Sequence, residues 1–309
     1  MNEICMALGG LLGLALLYYG AEYLVRGGSA IASRSRISPL VIGLTLVAFG
    51  TSAPELFVSA GAAFHGLGAI AIGNIVGSNI CNIALILGLS ALIAPIEVNS
   101  EIFKRDIPIM ILASVALTAV CLFFGGFGRL IGFLFLLGLV VYTVLGIASS
   151  PAKDALDAPT MSRTAAFVAV IGGLIALIVG AKLILAGAVA IERHFGVPDE
   201  FVALTVVAVG TSLPELATSV VAARKGEADI AIGNVVGSNI FNILGILGIS
   251  ALIRPVRIEG MDWVDFAMMV ATAVILWPLM GVRGRLCRTE GVFLLLVYIG
   301  YLVWLVHAI

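Results

Sequence analysis

Charged side chains are what this sequence has least of. Asp, Glu, Lys and Arg make up 11% of its 309 residues, less than half of the roughly 25% carried by a soluble domain. Hydrophobic residues fill 61% of the chain and mean hydropathy is +1.18. Too little polar surface is left to face water, so the chain reads as an integral membrane protein. The 17 basic and 18 acidic residues nearly cancel, and no basic tail points to nucleic acid. The four cysteines, Cys5, Cys81, Cys121 and Cys287, show neither CxxC nor Cys/His spacing. That pattern implies no zinc site and no disulfide framework. They read as small apolar fillers, and only Cys81 stands out, because it lies beside a polar motif. His65, His194 and His307 form no ligand pattern. No nucleophile sits with a base, so an enzyme has little support, and no cofactor is implied.

What the chain has in quantity is apolar runs of about 17–25 residues, the length that crosses a bilayer as a helix. They predict helices near 4–25, 37–64, 67–92, 107–125 and 128–148, then near 164–190, 199–224, 228–253, 262–281 and 290–308. The first, MNEICMALGGLLGLALLYYG, lacks the basic n-region and small-residue cleavage site of a signal peptide. Its pattern at 11–31 returns at 171–191, so it is expected to be a retained helix. The most polar stretch, SSPAKDALDAP at 149–159, is the natural seam and is too short for a soluble regulatory domain.

The same offset of 160 holds without a gap between residues 41–98 and 201–258, with 34 of 58 positions identical. The chain is therefore a duplication. Five helices per half is an odd number, so the second half enters the membrane from the opposite side. The expected fold is all-α: ten transmembrane helices as two inverted five-helix repeats, 1–148 and 164–309, joined by a short linker at 149–163. Such repeats characterise secondary transporters, with sites at the midplane where the halves meet.

Basic residues set the orientation. Arg26, Arg34, Arg36, Lys104, Arg105, Lys153, Arg163, Arg224, Lys225, Arg283, Arg285 and Arg288 fall on the linker side, and only Arg129, Arg193, Arg254 and Arg257 on the other. By the positive-inside rule the linker is cytoplasmic and both termini lie outside. Glu22 and Lys182, equivalent by the offset, read as snorkelling residues near helix ends.

Against this background Glu55 needs a reason. It lies in GTSAPE (50–55), about a dozen apolar residues from either end of its run, where a charge costs at least about 2.5–3.5 kcal/mol. GTSLPE at 210–215 repeats it with Glu215. Thr51, Ser52 and Glu55 are thus matched by Thr211, Ser212 and Glu215. The next helices carry GNIVGSNICNI, with Asn74, Ser78 and Asn82, and GNVVGSNIFNI, with Asn234, Ser238 and Asn242. Spacings of four put these groups on single helix faces. Pro54 and Pro214 lack the N–H that would bond Gly50 and Gly210, so each helix should bend there and release carbonyl oxygens. Carboxylates, loose carbonyls, hydroxyls and amide oxygens suit a hard cation such as calcium, which takes six to eight oxygens. The bland alternatives are a protonated glutamate acting as glue, and Ser and Asn joining helices. Gly73-x-x-x-Gly77 and Gly233-x-x-x-Gly237 read as close helix packing.

At these residues the sequence resembles the sodium/calcium exchanger family of the calcium/cation antiporter superfamily, of the prokaryotic type without a regulatory domain. Both family motifs, GTSxPE and GNxxGSN, occur twice and in order. The resemblance implies a secondary active antiporter that exchanges Na+ for Ca2+ by alternating access. These ions would be its substrates, the lipid bilayer its surroundings, and a monomer would suffice. It further implies that the Glu55 and Glu215 carboxylates and the Thr51 and Thr211 carbonyls bind calcium. Ser78, Ser238 and the backbone oxygens of Ala48 and Ala208 would serve flanking sodium sites. Ser52 and Ser212 lie at the motif's edge, and Asn82 and Asn242 line the centre. Some members, especially potassium-dependent ones, have aspartate where Asn242 stands, which makes potassium co-transport doubtful. Two readings compete. A Ca2+/H+ antiporter would use the same glutamates, but its usual GNxxE-type motif is absent, and a cation channel fits poorly with near-symmetrical halves around one site.

Overall fold

The computed structural model describes residues 3–35, 37–149, 161–194, 208–258, 262–281 and 283–308. The first half contains α1 (Glu3–Ser35), α2 (Pro39–Thr51), α3 (Ala53–Phe64), α4 (Gly68–Ile93), α5 (Ile102–Phe124) and α6 (Arg129–Ser149). The second contains α7 (Arg163–His194), α8 (Ala208–Thr211), α9 (Leu213–Arg224), α10 (Ala228–Ile253), α11 (Trp263–Gly281) and α12 (Arg288–Ala308). Among the described residues, seven helices are long and apolar enough to cross a membrane, and the bent pair α2/α3 makes an eighth. α1 and the α8/α9 pair take the places of the other two expected crossings. The fold is the inverted pair of five-helix repeats. The predicted linker lies almost wholly outside the described residues.

The offset of 160 read in the sequence reappears in space. α3 maps onto α9 and α4 onto α10, end for end. Short strands β1 (Ile96–Glu97), β2 (Gly126–Phe127), β3 (Val256–Arg257) and β4 (Arg285–Leu286) pair only across the repeats, β1 with β4 and β2 with β3, both antiparallel. Each pair ties the loops of one half to those of the other.

Burial separates inner from outer helices. In α4 and α10, 78% of the apolar window is buried, against 11–33% in α5, α6, α7, α11 and α12. The outer helices turn Phe123 and Leu130 outward, and the half-helix α3 does the same with Phe57, each more than two-thirds exposed. The polar residues Glu55, Asn79, Glu215 and Asn239 are buried. This inverts the pattern of a soluble domain and suits a lipid solvent.

The break between α2 and α3 turns the chain by 51°. Its centre is Ser52 (φ −80°, ψ 11°), with Ser212 (φ −87°, ψ 6°) as its counterpart. The bend was expected near Gly50 and Thr51 and falls one residue later. The reason is that Pro54 sits in the first turn of α3, where its missing N–H costs nothing. Each glutamate consequently lies in the first turn of a half-helix, at the positive end of its dipole.

α1 and α7 run antiparallel with their backbones in contact. A Cβ on Gly20 would lie 2.9 Å from the Gly173 carbonyl oxygen, and one on Gly173 2.7 Å from that of Gly20. Both helices are longer than their hydropathy suggested, ending at Ser35 and His194 rather than near 25 and 190. Glu22 is therefore not at a helix end but within α1, paired with Lys225 at 3.0 Å and Arg26 at 2.6 Å. Lys182 likewise lies within α7, exposed. α5 begins at Ile102, not 107, because Asp106 is buried in the helix by Arg105 (2.9 Å) and Tyr142 (3.0 Å).

Close packing holds for Gly237, where a Cβ would lie 2.5 Å from the Leu44 carbonyl oxygen, and for Gly233 against Leu40. Gly73 and Gly77 have no such neighbour among the described residues. Positions 200–204, which the offset sets opposite them, lie outside those residues.

Candidate cation site

The two breaks meet at the centre of the molecule and exchange hydrogen bonds. Ser52 Oγ, in the first break, donates to Glu215 Oε1 at 2.8 Å. Ser212 Oγ, in the second, donates to Glu55 Oε1 at 3.1 Å. Each carboxylate is thus held by the opposite repeat. The other oxygens, Glu55 Oε2 and Glu215 Oε2, are buried and have no hydrogen-bond partner among the described residues.

Behind the carboxylates, amides fix the half-helices. Asn74 Nδ2 bonds Ser59 Oγ (2.9 Å) and the Glu55 carbonyl (3.4 Å), and Asn234 Nδ2 bonds Ser219 Oγ (2.9 Å) and the Glu215 carbonyl (3.3 Å). Asn234 Oδ1 also accepts from Thr51 Oγ1 at 3.0 Å. These two asparagines therefore join helices. Thr51 and Thr211 are the last residues of α2 and α8.

The flanking positions differ. Ser238 Oγ donates to the Ala48 carbonyl at 3.5 Å. That carbonyl also accepts from Ser52 N–H (3.0 Å) and Thr51 Oγ1 (3.3 Å). Ser78 Oγ is buried with no hydrogen-bond partner among the described residues. Ala208, the counterpart of Ala48, begins α8 at the edge of the described stretch.

At the centre Asn82 and Asn242 are buried, each with an Oδ1 that has no partner among the described residues. Their Nδ2 groups bond Asn239 Oδ1 and Asn79 Oδ1, both at 3.0 Å. The motif letters of Asn79 and Asn239 were in view, but a stripe of four-residue spacing runs through 74, 78 and 82 and passes them by. Asn79 and Asn239 stand one residue off that stripe and are buried all the same, just before π-helical stretches at Cys81–Leu87 and Phe241–Ile246. Cys81 is buried at the start of the first of these stretches.

Four buried acceptors on four helices thus have no partner among the described residues: two carboxylate oxygens and two amide oxygens. Among the described residues no three His, Cys, Asp or Glu side chains cluster, so a transition-metal centre is not what this donor set suits. Hard oxygens with two formal negative charges match an alkali or alkaline-earth cation.

Comparison with known proteins gives the family. The family model described as sodium/calcium exchanger protein matches residues 6–148 and 165–307. The inner membrane protein YrbG of Escherichia coli strain K12 is 37% identical, with 96% of this chain and 94% of that protein covered. The sodium/calcium exchanger MaX1 of Methanosarcina acetivorans is 34% identical over 96% of this chain and 97% of its own. A solved structure of the sodium-calcium exchanger NCX_Mj, soaked with Na+ and Ca2+, superposes with a TM-score of 0.86 at 36% identity, covering 97% of this chain and 98% of that one.

Proposed function

The chain belongs to the sodium/calcium exchanger protein family, and from that premise we propose that Glu55 and Glu215 hold the exchanged ion between the repeats. The protein is a multi-pass membrane antiporter whose substrates are Na+ and Ca2+. In our reading Ca2+ takes its charge balance from the two carboxylates and further oxygens from the Thr51 and Thr211 carbonyls. Ser78, Ser238 and the backbone of Ala48 and Ala208 serve Na+, with Asn82 and Asn242 lining the centre. Ser52 and Ser212 hold the carboxylates rather than lie at the edge. The chain acts as a transporter and not as an enzyme. Residues 1–148 and 164–309 are the two repeats and 149–163 the cytoplasmic linker, in a cell membrane with both termini outside. The observation that carries the reading is the crossed pair of serine–glutamate bonds, which makes the site a joint property of both halves. Alternating access then needs only that the halves tilt about it.

The test is 45Ca2+ uptake into proteoliposomes preloaded with Na+, against K+-loaded vesicles and vesicles with a pH gradient. Uptake driven by Na+ alone is expected. Uptake driven equally by a pH gradient would mean proton exchange, and an absolute K+ requirement would overturn the role given to Asn242.

A further inference from the structure

Asn79 and Asn239 bind each other across the repeats. Asn79 Nδ2 donates to the Asn239 carbonyl at 3.3 Å, and Asn239 Nδ2 donates to the Asn79 carbonyl at 3.4 Å. The two positions differ by 160, the repeat offset. A residue can touch its own symmetry counterpart only on the symmetry axis, so this clasp marks the axis between the halves. A further contact from Asn239 Nδ2 to Met110 Sδ (3.5 Å) holds its amide plane.

The clasp has a second layer. Asn242 Nδ2 donates to Asn79 Oδ1, and Asn82 Nδ2 to Asn239 Oδ1, both at 3.0 Å. An amide is a two-ended group: its oxygen attracts a cation and its NH2 repels one. Tying the NH2 of Asn82 and Asn242 to the clasp leaves Oδ1 as the free end. Both of those oxygens are buried and without a hydrogen-bond partner among the described residues, a costly state for a polar atom unless an ion meets it.

We infer that Asn79 and Asn239 are positioning residues that lock the Asn242 and Asn82 amides, crosswise, with their carbonyl oxygens toward the cation. The inference rests on the ion site proposed above. It makes ion binding depend on two residues that need not touch the ion. Loss of one clasp acceptor lets the opposite amide turn and present N–H groups to the cation.

The test uses the crossing. In the full-length protein in proteoliposomes, Asn79→Ala is expected to raise the half-saturating Ca2+ concentration about tenfold, the order of one lost hydrogen bond. An aspartate has two equivalent oxygens and no wrong way round. In an Asn242→Asp background, Asn79→Ala should therefore change the half-saturating concentration less than twofold, whereas in an Asn82→Asp background the tenfold loss should persist. Asn239→Ala should behave the opposite way, relieved by Asn82→Asp and not by Asn242→Asp. A structural role would give equal losses in both backgrounds, and equal losses, or relief by the uncrossed aspartate, would overturn the inference. If the alanine variants fail to insert, Asn79→Ser and Asn239→Ser carry the same cycle. Glu55→Gln in parallel separates the two claims: its full activity would sink the ion site itself, while its inactivity with no crossed coupling sinks only the clasp.

Discussion

Ser52 of the first repeat donates its hydroxyl to Glu215 of the second, Oγ to Oε1 at 2.8 Å, and the symmetrical bond from Ser212 to Glu55 spans 3.1 Å. Hydrogen bonds to charged groups contribute about 1.5–3 kcal/mol, or roughly 10- to 100-fold in affinity. Ser52→Ala and Ser212→Ala are expected to weaken Ca2+ by amounts in this range that resemble each other, because the bonds are equivalent. Half-saturating Ca2+ in Na+-loaded vesicles measures both. An unchanged value for either would show that its hydroxyl does not hold the carboxylate.

Much of this site was legible because the duplication printed it twice. One Glu in an apolar run is ambiguous, but Glu55 and Glu215 in matched GTSxPE motifs are not, and both lie buried where the half-helices meet. What the letters could not convey was contact between the repeats. Helical spacing groups residues on one helix, whereas Asn79 meets Asn239, and Ser52 meets Glu215, from 160 and 163 positions away. Helix length also escaped hydropathy. α1 continues past Arg26 to Ser35 because Glu22 finds partners in Lys225 and Arg26, so its charges do not end the helix.

Protons and cations should compete for the two carboxylates, since protonation removes the charge that attracts the ion. Acidification from about pH 8 to 5 is expected to raise half-saturating Ca2+ while the rate at saturating Ca2+ holds. The sign follows from the proton adding to the ion-free form. A half-saturating concentration constant across that range would contradict it.

The α1/α7 contact should be intolerant of side chains at Gly20. A Cβ there meets the Gly173 carbonyl at 2.9 Å, whereas one on Gly10 meets nothing within 4 Å among the described residues. Gly20→Val is expected to cost about 1–3 kcal/mol or more by overpacking backbone, and Gly10→Val to be tolerated. Thermal unfolding in detergent compares them. Equal midpoints would mean that the two helices do not need backbone contact.

Voltage should act on the sodium limb. Two carboxylates with one Ca2+ make a neutral pocket; if three Na+ replace it, the pocket carries about one positive charge. One charge across 100 mV is worth about 2.3 kcal/mol. Na+-driven Ca2+ uptake at potassium diffusion potentials set with valinomycin should shift with sign and size. Rates and end-points indifferent to potential would indicate two Na+ per Ca2+.

The most direct measurement is Na+-driven 45Ca2+ uptake by Glu55→Gln and Glu215→Gln, alongside their insertion and monodispersity in detergent. Glutamine keeps the shape and removes one charge from a buried pair, which deletes a ligand while relieving the cost of placing a carboxylate in the membrane. Both variants are predicted to insert and fold like the unaltered chain and to transport no Ca2+. Substantial exchange by either, or loss of folding with transport preserved in the folded fraction, would show that the glutamates join the repeats and do not carry the ion.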